Sequence, residues 1–202
     1  SGKYSLTAMY NSSRGDVAQM VMSDPQNPDK TIYQHVNMGR SSQWILSLYT
    51  PVKITPWYGI DLNATAYYME QGYEDNTSYN VATNAYIQNN FTWGKGWNAT
   101  ISTWGVTRQK QANMVVDPIW GMDISVVKKC MDNRLVFSLN ATDIFNTMHN
   151  VIYSHGDDFS KKTISRWESQ GVSLSVRWNF INGKKSKTKT VESGDSEQRD
   201  RL

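Results

Sequence analysis

The sequence predicts an all-β fold: an antiparallel up-and-down transmembrane β-barrel of about eight strands. Three observations carry this. Apolar and polar residues alternate at period two through every regular segment, which gives each strand one greasy and one wet face. The wet faces carry mainly Asn, Ser and Thr, where a soluble sheet exposes Lys and Glu. Turns alternate between short and long, as they do in outer-membrane barrels. Bulk composition agrees. Charged residues are only 19% of the chain and aromatics reach 12%, against about a quarter charged in soluble domains. Mean hydropathy is −0.59. No apolar run approaches the roughly 18 residues a membrane-spanning helix needs. That excludes a helical membrane protein and leaves a barrel open, because half of each barrel strand is polar.

In order, Tyr4, Leu6, Ala8 and Tyr10 open the first strand, which extends through Val17–Met22. Ser23–Lys30, with two prolines, reads as a loop. The second strand starts near Thr31 and runs through Trp44, Leu46, Leu48, Val52 and Ile54. Pro51 cannot donate to a ladder, so a bulge is expected there. Thr55–Tyr58 is a tight turn, and the strand after it carries Ile60, Leu62, Ala64, Ala66 and Tyr68 on one side. Glu70–Asn80 reads as a longer loop before the strand Val81–Trp93. Gly94–Gly96 is a hairpin turn suited to positive φ. Trp97–Arg108 follows as a strand and Gln109–Pro118 as a polar loop. Trp120, Met122, Ile124 and Val126 mark the sixth strand, and Lys128–Asn133, with the lone Cys130, turns the chain. Leu135–Ala141 is the seventh strand. Ile144–Gln170 is the longest irregular stretch, and Gly171–Phe180 is the final strand.

Parity assigns the faces. Leu62, Ile101, Ile124, Leu139, Leu174 and Val176 are expected to face lipid, and Asn63, Asn98, Asn140 and Arg177 to face the lumen. Trp57, Tyr58, Trp93, Trp97, Trp178 and Phe180 gather at the short-turn ends, where an aromatic belt at the membrane interface belongs. Three x-Asn-Ala-Thr repeats contain Asn63, Asn98 and Asn140. They match a glycosylation sequon but point inward, and read as polar ladders. Short turns lie on the periplasmic side, so the last strand descends and the tail after it is periplasmic. Residues 1–181 thus form the barrel. Residues 182–202, rich in both charges, form a disordered tail. The chain opens Ser-Gly-Lys. Export requires a leader, so a leader has been removed or the chain is a piece of a longer one.

No cofactor, metal or enzymatic site is expected. His149 and His155 share one outer loop with Asp157 and Asp158, which reads as a solvated loop. Asp143, His149, Ser154 and His155 have no spacing that requires a hydrolytic constellation. Net charge is +3, and basic residues are not interleaved with aromatics on one surface, so no nucleic-acid partner is expected.

Three segments carry a family resemblance. They are Asn90–Ser102 (NFTWGKGWNATIS), Leu135–Thr147 (LVFSLNATDIFNT) and Val172–Phe180 (VSLSVRWNF). They resemble the closing strands of the outer-membrane β-barrel family related to TonB-dependent receptors. Asp-Ile-Phe-Asn-Thr, Asp143–Thr147, is the most recognisable mark. Trp178-x-Phe180 is similar to the signal read by the barrel-assembly machinery, although here a charged tail follows it. The resemblance implies a barrel of about 22 strands with a plug, a TonB-type periplasmic partner acting through the plug, and a place in the outer membrane. This chain would then supply the C-terminal wall. The inward residues are small and would fill an eight-stranded lumen poorly, which also favours the larger barrel. Two alternatives remain open: a small structural or adhesive barrel without transport, and a soluble all-β binding module.

Overall fold

The computed structural model describes residues 4–73, 76–156 and 158–180. The tail expected at residues 182–202 lies outside them. Among the described residues, fourteen strands form four long antiparallel hairpins. The first hairpin comprises β1 (Ser5–Arg14), β2 (Val17–Asp24), β3 (Asn27–Asn37) and β4 (Arg40–Lys53). β5 (Tyr58–Tyr73) and β6 (Asn76–Trp93) make the second. The third holds β7 (Trp97–Val106), β8 (Gln109–Gln111), β9 (Met114–Val116) and β10 (Ile119–Cys130). The fourth holds β11 (Leu135–Thr142), β12 (His149–His155), β13 (Ser160–Arg166) and β14 (Gly171–Trp178).

Eight of these strands form one sheet in the order β1-β4-β5-β6-β7-β10-β11-β14. Every adjacent pair is antiparallel, so the connectivity is an up-and-down meander. β1 pairs only with β4, and β14 only with β11, among the described residues. The remaining strands extend the hairpins beyond the wall at its long-loop end. They form the ribbon β2-β3 and the small sheet β13-β12-β9-β8.

Four expected loops therefore contain long stretches of strand. Within Ser23–Lys30 only Pro25 and Gln26 turn, and the Gln26 N–H donates to Asp24 Oδ1 at 2.9 Å. Glu70–Asn80 is strand on both sides of residues 74–75. Gln109–Pro118 is a miniature hairpin, β8-β9, and Ile144–Gln170 contains β12-β13. β13 stays exposed or half-exposed along its whole length, so it carries no period-two apolar signal while its backbone pairing persists. The bulge expected at Pro51 is absent. The β4–β5 register runs through Thr50↔Leu62, Pro51↔Asp61 and Val52↔Ile60 without a shift. The recorded β1 ladder ends at Tyr49↔Ser5, and a proline is tolerated where a strand has an open edge. Cys130 ends β10 opposite Leu135 rather than turning. The turn is Met131–Arg134, with positive φ at Met131, Asp132 and Asn133.

Gly96 shows why the β6–β7 turn is glycine-closed. Its φ is +78°, and a Cβ there would sit 2.4 Å from the Lys129 carbonyl oxygen. The neighbouring hairpin docks on this turn through Lys129 N–H to Gly96 O, 2.9 Å.

Apart from Ala82 on β6, which is 2% exposed, the buried apolar residues lie outside the wall. Ala18, Met38 and Ala112 form a core cluster with Met20 and Val36 packed against them, all in the hairpin extensions.

Candidate functional site

Directly opposed residues in a sheet point to the same side, so the registers carry one face across all eight strands. The cross-strand row Ala64, Leu48, Leu6 continues the other way through Ala85 and Gly105 to Trp120. Another row runs Val126, Leu139, Leu174. Leu62, Ile101, Ile124, Leu139, Leu174 and Val176 all fall on this apolar face. Thr50, Thr83, Asn89 and Thr103 are neutral polar exceptions there. Tyr58 Oη donates to Asn89 Oδ1 at 2.8 Å, which gives the amide oxygen a partner.

Asn63, Asn98, Asn140 and Arg177 fall on the other face, opposite Tyr86, Thr92, Ser125 and Val136 respectively. Asn140 joins a cross-strand ladder. Ser125 Oγ donates to its Oδ1 at 2.7 Å, and its Nδ2 donates to Ser173 Oγ at 3.4 Å. The denser network centres on other residues of this face, which the alternation also places there. Asn90 Nδ2 donates to Asp61 Oδ2 at 2.7 Å, Gln88 Nε2 donates to Asn90 Oδ1 at 2.8 Å, and Tyr86 Oη reaches both Gln88 and Ser102. This face also carries Tyr49, Tyr67, Tyr86 and Trp104. It is thus bulkier than the small Ser, Asn and Thr expected from sequence. The signal was present, because each of the four alternates with the apolar-face residues of its own strand.

At the short-turn end the aromatics form a continuous array. Ring centroids are 5.8 Å apart for Trp57–Tyr58, 4.8 Å for Tyr58–Phe91 and 5.8 Å for Phe91–Trp93. Trp93 opposes Trp97. Trp178 and Phe180 lie 6.3 Å apart at the last strand. Lys128 Nζ sits 4.8 Å from the Trp97 ring centroid and donates to the Lys95 carbonyl.

A second array at the long-loop end escaped the sequence reading. It comprises Tyr10–Trp44 (4.5 Å), Tyr68–Tyr79 (6.4 Å) and Trp120–Phe145 (5.8 Å). Tyr58 and Tyr68, one in each array, are ten residues apart on β5. At about 3.3 Å per residue and a tilt of about 45°, the arrays lie roughly 23 Å apart. That matches the apolar band of about 25 Å expected between the girdles of a membrane barrel.

Above the second array, Asn113 clasps three hairpins. Its Nδ2 donates to the carbonyls of Val21 (2.6 Å) and His155 (2.8 Å), and its Oδ1 accepts the Val21 N–H at 3.1 Å. The His155 N–H donates to the Asn113 carbonyl at 3.1 Å. Lys161 Nζ ties β13 to Thr31 Oγ1 at 2.9 Å. Between these hairpins is an open cavity of about 880 Å³, bordered by Met20, Met22, Met38, Lys110, Asn113 and His155. Contacts spanning 92 residues leave no local pattern, so Asn113 could not have been found from sequence.

Asp143 of the Asp-Ile-Phe-Asn-Thr motif is fully buried and builds the turn after β11. Its Oδ1 accepts from Thr147 N–H (3.0 Å) and Oγ1 (3.2 Å), and its Oδ2 accepts from Met148 N–H (3.2 Å) and Ser169 Oγ. Burial opposes ionisation, but these donors outweigh it and hold the carboxyl below its ordinary range. Asp143 has no spare lone pair directed at a substrate. His149 and His155 stand at opposite ends of β12, roughly 20 Å apart along the strand. His155 Nδ1 instead shares a hydrogen bond with Ser160 Oγ at 3.1 Å. The described residues contain no group of three His, Cys, Asp or Glu able to hold a metal.

No curated protein and no solved structure matches the chain. A family model, described as the outer membrane protein beta-barrel family, matches residues 1–178, nearly the whole described sheet. That match removes the soluble binding module as a reading. With its antiparallel meander, two-faced register and paired aromatic arrays, the chain belongs to the outer membrane protein β-barrel family.

Proposed function

We propose that the chain is the C-terminal wall of a TonB-dependent-type receptor or transporter barrel, bounding a polar lumen for substrate uptake. In this reading Leu62, Ile101, Ile124, Leu139, Leu174 and Val176 meet lipid, and Asn63, Asn98, Asn140 and Arg177 line the lumen. Trp57, Tyr58, Trp93, Trp97, Trp178 and Phe180 rest at the periplasmic interface, and the tail after residue 181 lies in the periplasm. The barrel-assembly machinery engages the Trp178-x-Phe180 strand. Gating and energy come from a plug and its TonB-type partner.

One observation carries the proposal. The sheet keeps a strict two-faced register to its outermost strands, β1 and β14, which have no outer neighbours among the described residues. A barrel abolishes such edges by adding strands until it closes, and a barrel of about 22 strands holds a plugged lumen. The test is the full-length gene together with mass spectrometry of the intact outer-membrane particle. The expected result is a plug and roughly 14 further strands on the same or a companion chain. A particle lacking both overturns the proposal.

A second reading has its own support. Tyr49, Tyr67, Tyr86 and Trp104 on the polar face are suited to filling a narrow interior, as in an eight-stranded structural or adhesive barrel. The same mass measurement separates the two.

A further inference from the structure

We infer that Arg14 and Arg40 form a clamp for a phosphorylated lipid headgroup of the outer leaflet. The inference rests on the reading above that the apolar face meets lipid and the long hairpins point outward.

The register places these two arginines directly opposite each other, at the last rung of the β1–β4 ladder. Opposed Cα atoms are about 4.5–5.5 Å apart. Two and four rungs below, on the same face, lie Ser12–Ser42 and Tyr10–Trp44, the latter with ring centroids 4.5 Å apart. Both guanidinium groups therefore leave the sheet on its apolar side, just above the outer aromatic array. Both residues are exposed.

Like charges facing each other across a ladder destabilise it. No acid among the described residues forms an ion pair with either arginine. The ion pair among the described residues is Arg108 with Asp117. Asp16, the nearest acid in sequence to Arg14, is held on the opposite face by Ser13 and Ser41. Glu70 shares the arginines' face by register, opposite Ser42, and pairs with neither arginine.

Lys128, the cation at the other end of the apolar face, makes the contrast. It is satisfied within the protein, by the Lys95 carbonyl and the Trp97 ring. The arginine pair has no such partner among the described residues, and two adjacent guanidinium forks match the oxygens of one phosphate. The aromatic pair beneath supplies an amphipathic seat at headgroup depth.

The test uses the full barrel in phosphatidylcholine nanodiscs doped with lipid A. Retained lipid A is counted by native mass spectrometry, with inorganic phosphate as competitor. The expected result is lipid A retained on the native protein and reduced roughly tenfold or more in R14Q/R40Q. R14K/R40K, which keeps charge but loses the fork, is expected to fall between them. Excess inorganic phosphate is expected not to displace the lipid. Retention unchanged in both variants, or equal displacement by inorganic phosphate, overturns the inference. If R14Q/R40Q does not fold, R14K alone decides by the same measure.

Quenching of tryptophan fluorescence by acyl-brominated lipid keeps the two claims apart. Quenching with unchanged lipid A retention sinks the clamp alone. Absence of quenching sinks the lipid-facing reading and the clamp with it.

Discussion

In the outer hairpins Val21 and Met38 are each 1% exposed, while in the wall Val172 is 78% exposed and Leu174 71%. Both regions are antiparallel sheet built from the same chain reversals. They differ in what covers their apolar side chains. The hairpins fold onto one another and bury Ala18, Met38 and Ala112 by themselves. In the wall Val172 and Leu174 stand exposed on the apolar face, and most of the side-chain hydrogen bonds lie on the other face. A sheet that is finished by its own packing and a sheet that is finished by its solvent thus sit end to end.

The sharpest way to break this comparison is to damage each region in its own currency. Met38→Ala removes a buried side chain from the hairpin core and is expected to cost about 2–5 kcal/mol there. The loss should appear as faster hydrogen exchange in β2 and β3, equally in detergent and in bilayer, with the wall unchanged. Global unfolding of the wall by this one substitution would contradict the separation.

Next in size is a pair of neighbours on β14. Leu174→Arg is expected to cost about 2–4 kcal/mol for folding into phosphatidylcholine vesicles, the charge being forced toward acyl chains. Ser175→Arg, one residue on and facing the other way, is expected to stay within about 0.5 kcal/mol. Denaturant titration of folding in vesicles reads both. Equal costs would mean that the two faces meet the same medium.

The smallest effect lies at the junction of the two regions. The Asp143 carboxyl is held below its ordinary range in the folded turn, so the opened turn binds the proton more readily. Its contribution is complete above about pH 4, the ordinary carboxylate value, and is lost as pH falls through the lower folded value. Protection of the Thr147 and Met148 amides should therefore weaken below about pH 4, while the strand amides of β5 keep theirs. Asp143→Asn should flatten that pH dependence.

The wall was legible in the sequence for the reason it is a wall. Leu62 and Asn63, or Leu139 and Asn140, point to opposite faces of the sheet, and that difference writes itself as alternation. The hairpin extensions were not legible because Thr77, Ser160 and Lys161 are polar residues in ribbons that leave most of their side chains exposed or half-exposed. Pattern then carries no strand signal, and only β-formers such as Val151, Ile152 and Tyr153 hint at one. The outer aromatic array was missed for another reason. Tyr10 and Trp44 are 34 positions apart, and only the β1–β4 register brings their rings together. The Asp-Ile-Phe-Asn-Thr motif was visible as a word, but its physical content, four donors converging on one buried carboxylate, depends on Ser169 from the far end of the fourth hairpin.

The direction of the two outermost strands carries a counting rule. β1 ascends toward the long hairpins and β14 descends from them, so they run opposite ways. Any additional strands closing this sheet into a fully antiparallel cylinder must be even in number, zero included. A single odd strand joining β14 to β1 would lie parallel to one of its neighbours and break the ladder geometry shared by every other seam.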